Sequence, residues 1–167
     1  GIVLDRAERE RTAFHESGHA LLGMLTPGAD PVRKISIIPR GQALGVTYQA
    51  PATDRYGYSE TYLRGRIIGA LGGRAAEEVV YGDVTTGAEN DMEHASQIAR
   101  QMVGRWGMSP AIGPVSVLPA SGQESPYGDG VAPATRELVD TETRRIIEEC
   151  YEQALTALRD SRDRLDQ

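Results

Sequence analysis

Two histidines four residues apart, in the stretch TAFHESGHALLG (12–23), constrain this chain more than any other feature, because it has only three histidines in 167 residues. Asp5 followed by Glu8 has the spacing of an N-cap and its capping-box partner, and Thr26-Pro27-Gly28 is a stop signal. The segment between them reads as an amphipathic helix reaching about Leu25. Side chains four apart stack on one helical face, so His15 and His19 point the same way, about one turn apart. Two imidazoles so placed can hold one metal ion between them. The rest of the fold then has to bring a further donor over that face.

The remaining segments suggest how. RKISIIP (33–39) and GVTYQAP (45–51) are β-branched and bounded by Pro and Gly, and predict two strands joined across RGQAL. Ser59 caps a second helix over about 60–81, with apolar positions at Leu63, Ile67, Leu71 and Val79. Its small-residue patch GALGGRAAEE (69–78) has three glycines, each costing roughly 1 kcal/mol of intrinsic helicity. That weakness is tolerable where another helix needs close backbone approach, and the first helix is the candidate. In TTGAENDMEHASQIARQMVGRW (85–106), Thr86 and Glu89 have capping-box spacing. Ala88, Met92, Ala95, Ala99, Met102 and Trp106 form an apolar stripe on the helix that follows. Residues 109–134, rich in Pro, Gly and Ser, read as a long flexible loop. A last helix covers about 135–160. The expected fold is mainly α, one helical domain with a small β-sheet in its N-terminal region and the paired histidines on the first helix.

Composition excludes several alternatives. The net charge of −6 and sequence pI of about 5.1 argue against a nucleic-acid surface. No apolar run approaches the roughly 18–20 residues of a membrane span. The charged start GIVLDRAERE is no signal peptide. The single Cys150 cannot form an internal disulfide, and its place in an apolar helical stripe predicts a buried thiol. A chain opening on Gly1 is expected to be a piece of a longer protein.

The residues themselves imply a specific chemistry. His15-Glu16-x-x-His19 is the H-E-x-x-H arrangement of zinc peptidases. The two imidazoles reach zinc at about 2.0–2.1 Å each. Glu16, displaced by one helical step, contacts a metal-bound water whose pKa falls from 15.7 to about 7. Catalytic zinc normally takes three protein ligands, and the third is absent from this helix. Candidates are His94 and the carboxylates Glu77, Glu78, Glu89 and Asp91. Asp91 borders the buried stripe, where a carboxylate is costly unless paired or metal-bound, and it ranks first. Glu77 and Glu78 follow closely, because they adjoin the small-residue patch.

TAFHESGHALLGML, VRKISIIPRGQALGVTYQAP and GALGGRAAEEVVYGDVTTGAENDMEHASQIARQMVGRWGMS together resemble the peptidase domain of FtsH-type proteases, which are membrane-anchored, ATP-dependent AAA+ zinc metalloproteases. The resemblance runs from the first helix to the last. It implies one Zn2+ per chain on His15, His19 and Asp91, with Glu16 as catalytic base. Glu77, Glu78 and His94 then remain as contacts behind the ligands. Ser17 stands where the family usually has Ala. The sequence has no G-x-x-x-x-G-K-[ST] string, so ATP and Mg2+ are expected only in an ATPase domain outside it. The membrane is expected to be reached only through absent N-terminal segments, with the peptidase on the cytoplasmic side. The resemblance also implies unfolded polypeptide substrates, a homo-hexamer in the full-length protein and no nucleic acid. Residues 1–167 are read as the metallopeptidase domain. An edge strand formed by Gly45, Val46, Thr47, Tyr48, Gln49 and Ala50 is expected to take substrate as an added strand. A non-catalytic zinc-stabilised adaptor and a metal-free helical interaction module are the competing readings. Glu16 separates the first of these from a peptidase, since a purely structural zinc site has no use for an unligated carboxylate.

Overall fold

The Asp5 carboxylate opens the fold by accepting from the Glu8 backbone N–H at 2.7 Å, which caps α1 (Arg6–Leu25). In the computed structural model, residues 5–25, 32–36, 46–49, 57–119 and 130–166 are described. β1 (Val32–Ser36) and β2 (Val46–Gln49) form a two-stranded antiparallel sheet. Its register pairs Lys34 with Tyr48, Ile35 with Thr47 and Ser36 with Val46, and shifts between Val32 and Lys34 as at a β-bulge. The expected strand ends at 37–39, 45 and 50–51 lie outside the described residues, as does the stop at 26–28.

α2 (Glu60–Tyr81) begins and ends on strong local signals. The Ser59 hydroxyl accepts from the Tyr62 N–H at 3.0 Å, and Gly82 closes the helix at φ 68°. A 3-10 turn (Thr86–Ala88) leads into α3 (Glu89–Gly104). The capping-box expectation is corrected here by one residue. Thr85, not Thr86, caps the turn by accepting from the Gly87 N–H at 3.2 Å, and α3 itself has no side-chain cap. α4 (Pro133–Asp160) starts on its proline, whose fixed φ suits the first helical turn. A short α5 (Arg162–Leu165), which the sequence reading missed, ends the described chain.

The described residues are mainly helical, and their core lies where α2 meets α1, α3 and α4. Ile67, Ala75, Ala76, Ala95, Ala99, Met102, Val103, Ile146, Cys150, Ala154 and Leu158 have no accessible surface. The α3 stripe is corrected at Met92 and Trp106, while Ala88, its first member, is buried as expected. Met92 and Trp106 are about 40% and 41% exposed: Met92 borders an open groove beside Ile147 and Tyr151 of α4, and the helix stops before Trp106. The near end of the 109–134 segment is tied down: Val117 and Leu118 N–H groups donate to the Gly104 carbonyl, and the buried Ser109 hydroxyl bonds the Glu142 carboxylate at 2.5 Å.

α1 and α2 pack backbone against backbone. A Cβ on Gly18 would lie 2.3 Å from the Gly72 carbonyl oxygen, and one on Gly72 would lie 2.8 Å from that of Gly18. Only glycine at both positions lets the two backbones touch, and that approach sets the depth at which the histidines meet α2.

Candidate metal centre

α1 turns His15 and His19 toward α2, with His15 buried and His19 half-buried. Gly73 on α2 makes the room. A Cβ there would sit 2.2 Å from His15 Nε2, with two ring carbons at 2.4 and 2.5 Å. The two rings cross edge to face, their centroids 4.8 Å apart.

Each ring is fixed at Nδ1. The His19 Nδ1–H donates to the Gly69 carbonyl at 2.7 Å, and the His15 Nδ1–H donates to Glu77 Oε2 at 2.9 Å. Both partners can only accept, since burial would raise the pKa of Glu77 but hydrogen bonds from Arg11, His15 and Thr85 outweigh it and lower it. The two Nε2 atoms therefore face each other, 3.1 Å apart, and each lies 3.1 Å from Asp91 Oδ2.

With neutral rings, that arrangement is three acceptors converging on one point with no donor among them. It needs positive charge at its centre. The separation suits zinc: ligand atoms at about 2.0–2.1 Å in tetrahedral directions lie roughly 3.3 Å from one another. His15, His19 and Asp91 are the cluster among the described residues whose donor atoms all lie close enough to share one ion. Protonation states follow the same field. Burial disfavours the His15 imidazolium, but the Asp91 and Glu77 acceptors overcome it and raise its pKa above 6.5. Burial likewise opposes the Asp91 anion, yet the two histidines bring its pKa down to about 2.

The other expected residues separate into distinct places. Glu16 is 4% exposed beside His15, and its charge helps raise the His15 pKa. Glu77 stands behind His15. Glu78, expected near the histidines, instead accepts from the Tyr151 hydroxyl at 3.1 Å, because one helical step turns it toward α4. His94 is exposed on α3 and accepts from Arg66 Nη2 at 3.3 Å; burial and the Arg66 charge lower its pKa. Val46, Thr47, Tyr48 and Gln49 form β2, while Gly45 and Ala50 lie outside the described residues. Three contributors went unread in the sequence: the Gly69 carbonyl, Thr85 and Arg11. Arg11 carried a usable signal, since it precedes His15 by four on the same helical face.

Comparison with known proteins shows the family. The model of peptidase family M41 matches residues 2–167. The ATP-dependent zinc metalloprotease FtsH 3 of Conexibacter woesei is 57% identical over 168 residues, covering 99% of this chain and 22% of that protein. The ATP-dependent zinc metalloprotease FtsH of Thermobaculum terrenum is 57% identical over 171 residues, covering 99% and 26%. That of Syntrophus aciditrophicus is 50% identical over 175 residues, covering 99% and 23%. The chain thus spans about a quarter of the length of these curated relatives.

Proposed function

The chain belongs to peptidase family M41, and from that premise we propose that it is a zinc endopeptidase domain that hydrolyses peptide bonds of unfolded or translocated polypeptides. The observation that carries the reading is the convergence of His15 Nε2, His19 Nε2 and Asp91 Oδ2 at 3.1 Å, with both Nδ1–H groups already committed. These three residues would hold one Zn2+. When bound, zinc polarises the scissile carbonyl and lowers the pKa of water from 15.7 to about 7.

The protein's own groups do the rest. Glu16 takes the proton of the attacking water and passes it to the leaving amine. Its burial keeps that carboxylate away from bulk solvent, where it acts more strongly on a nearby proton. Glu77 and the Gly69 carbonyl hold the two rings in the tautomer that leaves Nε2 free to bind metal. His94 sits at the margin, near enough for the Asp91 charge to act on it.

Substrate joins the edge of β2. Among the described residues that strand pairs with β1, and an extended peptide would bond the main-chain groups on its other side. Residues 1–167 form one peptidase domain; of the loop expected over 109–134, residues 120–129 lie outside the described residues. ATP dependence, the homo-hexamer and the membrane anchor that holds the peptidase on the cytoplasmic side belong to the longer protein. Among the described residues no helix is long and apolar enough to cross a membrane.

The test is cleavage of a denatured, casein-like substrate by the purified chain without ATP. Chelation should abolish cleavage, zinc should restore it, and a tightly folded substrate should stay intact. Cleavage that survives complete metal removal would refute the proposal.

A further inference from the structure

Behind the donor atoms, one buried carboxylate gathers three bonds, two from α1 and one from the turn that leads into α3. Glu77, on α2, has a side chain that is 1% exposed. Its Oε2 holds the His15 ring. Its Oε1 accepts from Arg11 Nε of α1 at 2.9 Å and from the Thr85 hydroxyl at 2.7 Å. Arg11 also donates through Nη2 to the Asp83 carbonyl at 3.0 Å, and its guanidinium lies 4.6 Å from the centroid of the Tyr81 ring. Thr85 in turn caps the 3-10 turn from which α3 delivers Asp91. Arg11 and Thr85 therefore grip the same oxygen, one from the histidine helix and one from the approach to Asp91.

The chemistry of this grip is specific. A carboxylate with one oxygen fixed by two donors cannot rotate about its last torsion, so the direction of its second oxygen is fixed as well. A guanidinium presents Nε and Nη2 as a rigid fork, which lets one side chain bind Glu77 and the Asp83 carbonyl together. A lysine has one nitrogen and cannot reproduce that double contact.

We propose that Arg11 and Thr85 are positioning residues for the metal. Acting through Glu77, they hold the His15 ring and the segment leading to Asp91 in one geometry, and so set zinc affinity. This rests on the zinc reading above. Loss of a partner behind a metal-binding histidine typically costs about 10–100-fold in affinity, and that is the effect expected here.

The test uses the whole chain and reads metal, not turnover. Zinc affinity is measured by competition with a chromogenic chelator, and tetrahedral geometry by the visible absorption of the Co2+-loaded chain. Arg11→Met and Thr85→Val should each weaken zinc about 10-fold or more and alter the cobalt spectrum. Arg11→Lys should recover part of the affinity, and Thr85→Ser most of it. In a Glu77→Gln background, Arg11→Met should cost little more, because the carboxylate it orients is gone. Wild-type affinity in both single variants, or an undiminished effect of Arg11→Met beside Glu77→Gln, overturns the proposal. If Arg11→Met fails to fold, Arg11→Lys and Thr85→Val carry the same decision. Failure of the wild-type chain to bind zinc would instead overturn the reading on which the proposal rests.

Discussion

Gly73→Ala adds one methyl group at the point where α2 passes the His15 ring. Built onto the backbone, its Cβ lies 2.2 Å from Nε2, whereas Cβ contacts below 3.0 Å are essentially never seen. The ring must therefore retreat by at least 0.8 Å, the gap between those distances. Metal bonds tolerate about 0.2 Å. The ring cannot slide freely, because Glu77 holds its Nδ1 at 2.9 Å. Zinc affinity should fall by at least about 100-fold, beyond the range seen for lost partners behind a ligand.

Stability involves two opposed terms. Alanine in place of glycine favours a helix by roughly 1 kcal/mol. Overpacking costs about 1–3 kcal/mol. The metal-free variant should thus be unchanged or weaker by up to about 2 kcal/mol. The three nearest atoms all belong to the His15 ring, so the sign should reverse once that ring is removed. In a His15→Ala background, Gly73→Ala should stabilise the metal-free chain by up to about 1 kcal/mol. Chelator competition and thermal unfolding read both effects. Zinc affinity within about threefold of wild type, or a destabilising Gly73→Ala in the His15→Ala background, would refute the steric reasoning.

Other outcomes follow from the same geometry. Asp91→Asn should weaken zinc binding strongly with helical circular dichroism unchanged, since an amide is a poor zinc donor and asparagine differs little from aspartate in helix propensity, while Glu78→Gln should keep full zinc because that carboxylate bonds Tyr151. In the metal-free chain, the lowered pKa of Asp91 contributes stability that is present above its ordinary value of 3.8 and lost as pH falls toward about 2. The raised pKa of His15 contributes stability that is present below 6.5 and lost as pH rises through its folded value. Melting temperatures of the metal-free chain should accordingly be highest between about pH 4 and 6.5, whereas zinc loading should strengthen above that window as the His15 imidazole loses its proton. Cys150 has no accessible surface, and burial pushes its thiol up to about 11, so iodoacetamide at pH 8 should label it only after denaturation, as read by mass spectrometry.

Much of this was legible in the sequence because the signals are local. Asp5 and Ser59 each make the cap their spacing implies, and α2 runs over the residues expected of it. The glycine patch correctly implied close helix contact, since glycine inside a helix needs a steric reason. Errors arose where a local signal was degenerate or a partner lay far away in sequence. Thr85 and Thr86 are chemically equivalent cap candidates, and only the turn geometry separates them. Met92 and Trp106 continue the apolar stripe by spacing, yet Met92 borders an open groove and α3 ends before Trp106. Glu77 and Glu78 are neighbours in sequence, but one step of helix sends the first to His15 and the second to Tyr151. Periodicity puts Arg11 on the face of His15, but its partner Glu77 lies 66 residues away, and helical spacing cannot name it.

The most direct test of the central claim is paired zinc and activity measurement on Glu16→Gln. The chain should carry one zinc in both forms, because Glu16 is a base and not a ligand. Cleavage of an unfolded substrate should fall by about 10²–10⁴-fold in the variant, the usual share of general-base catalysis. Loss of zinc from Glu16→Gln, or cleavage at the wild-type rate, would contradict the roles assigned to this site.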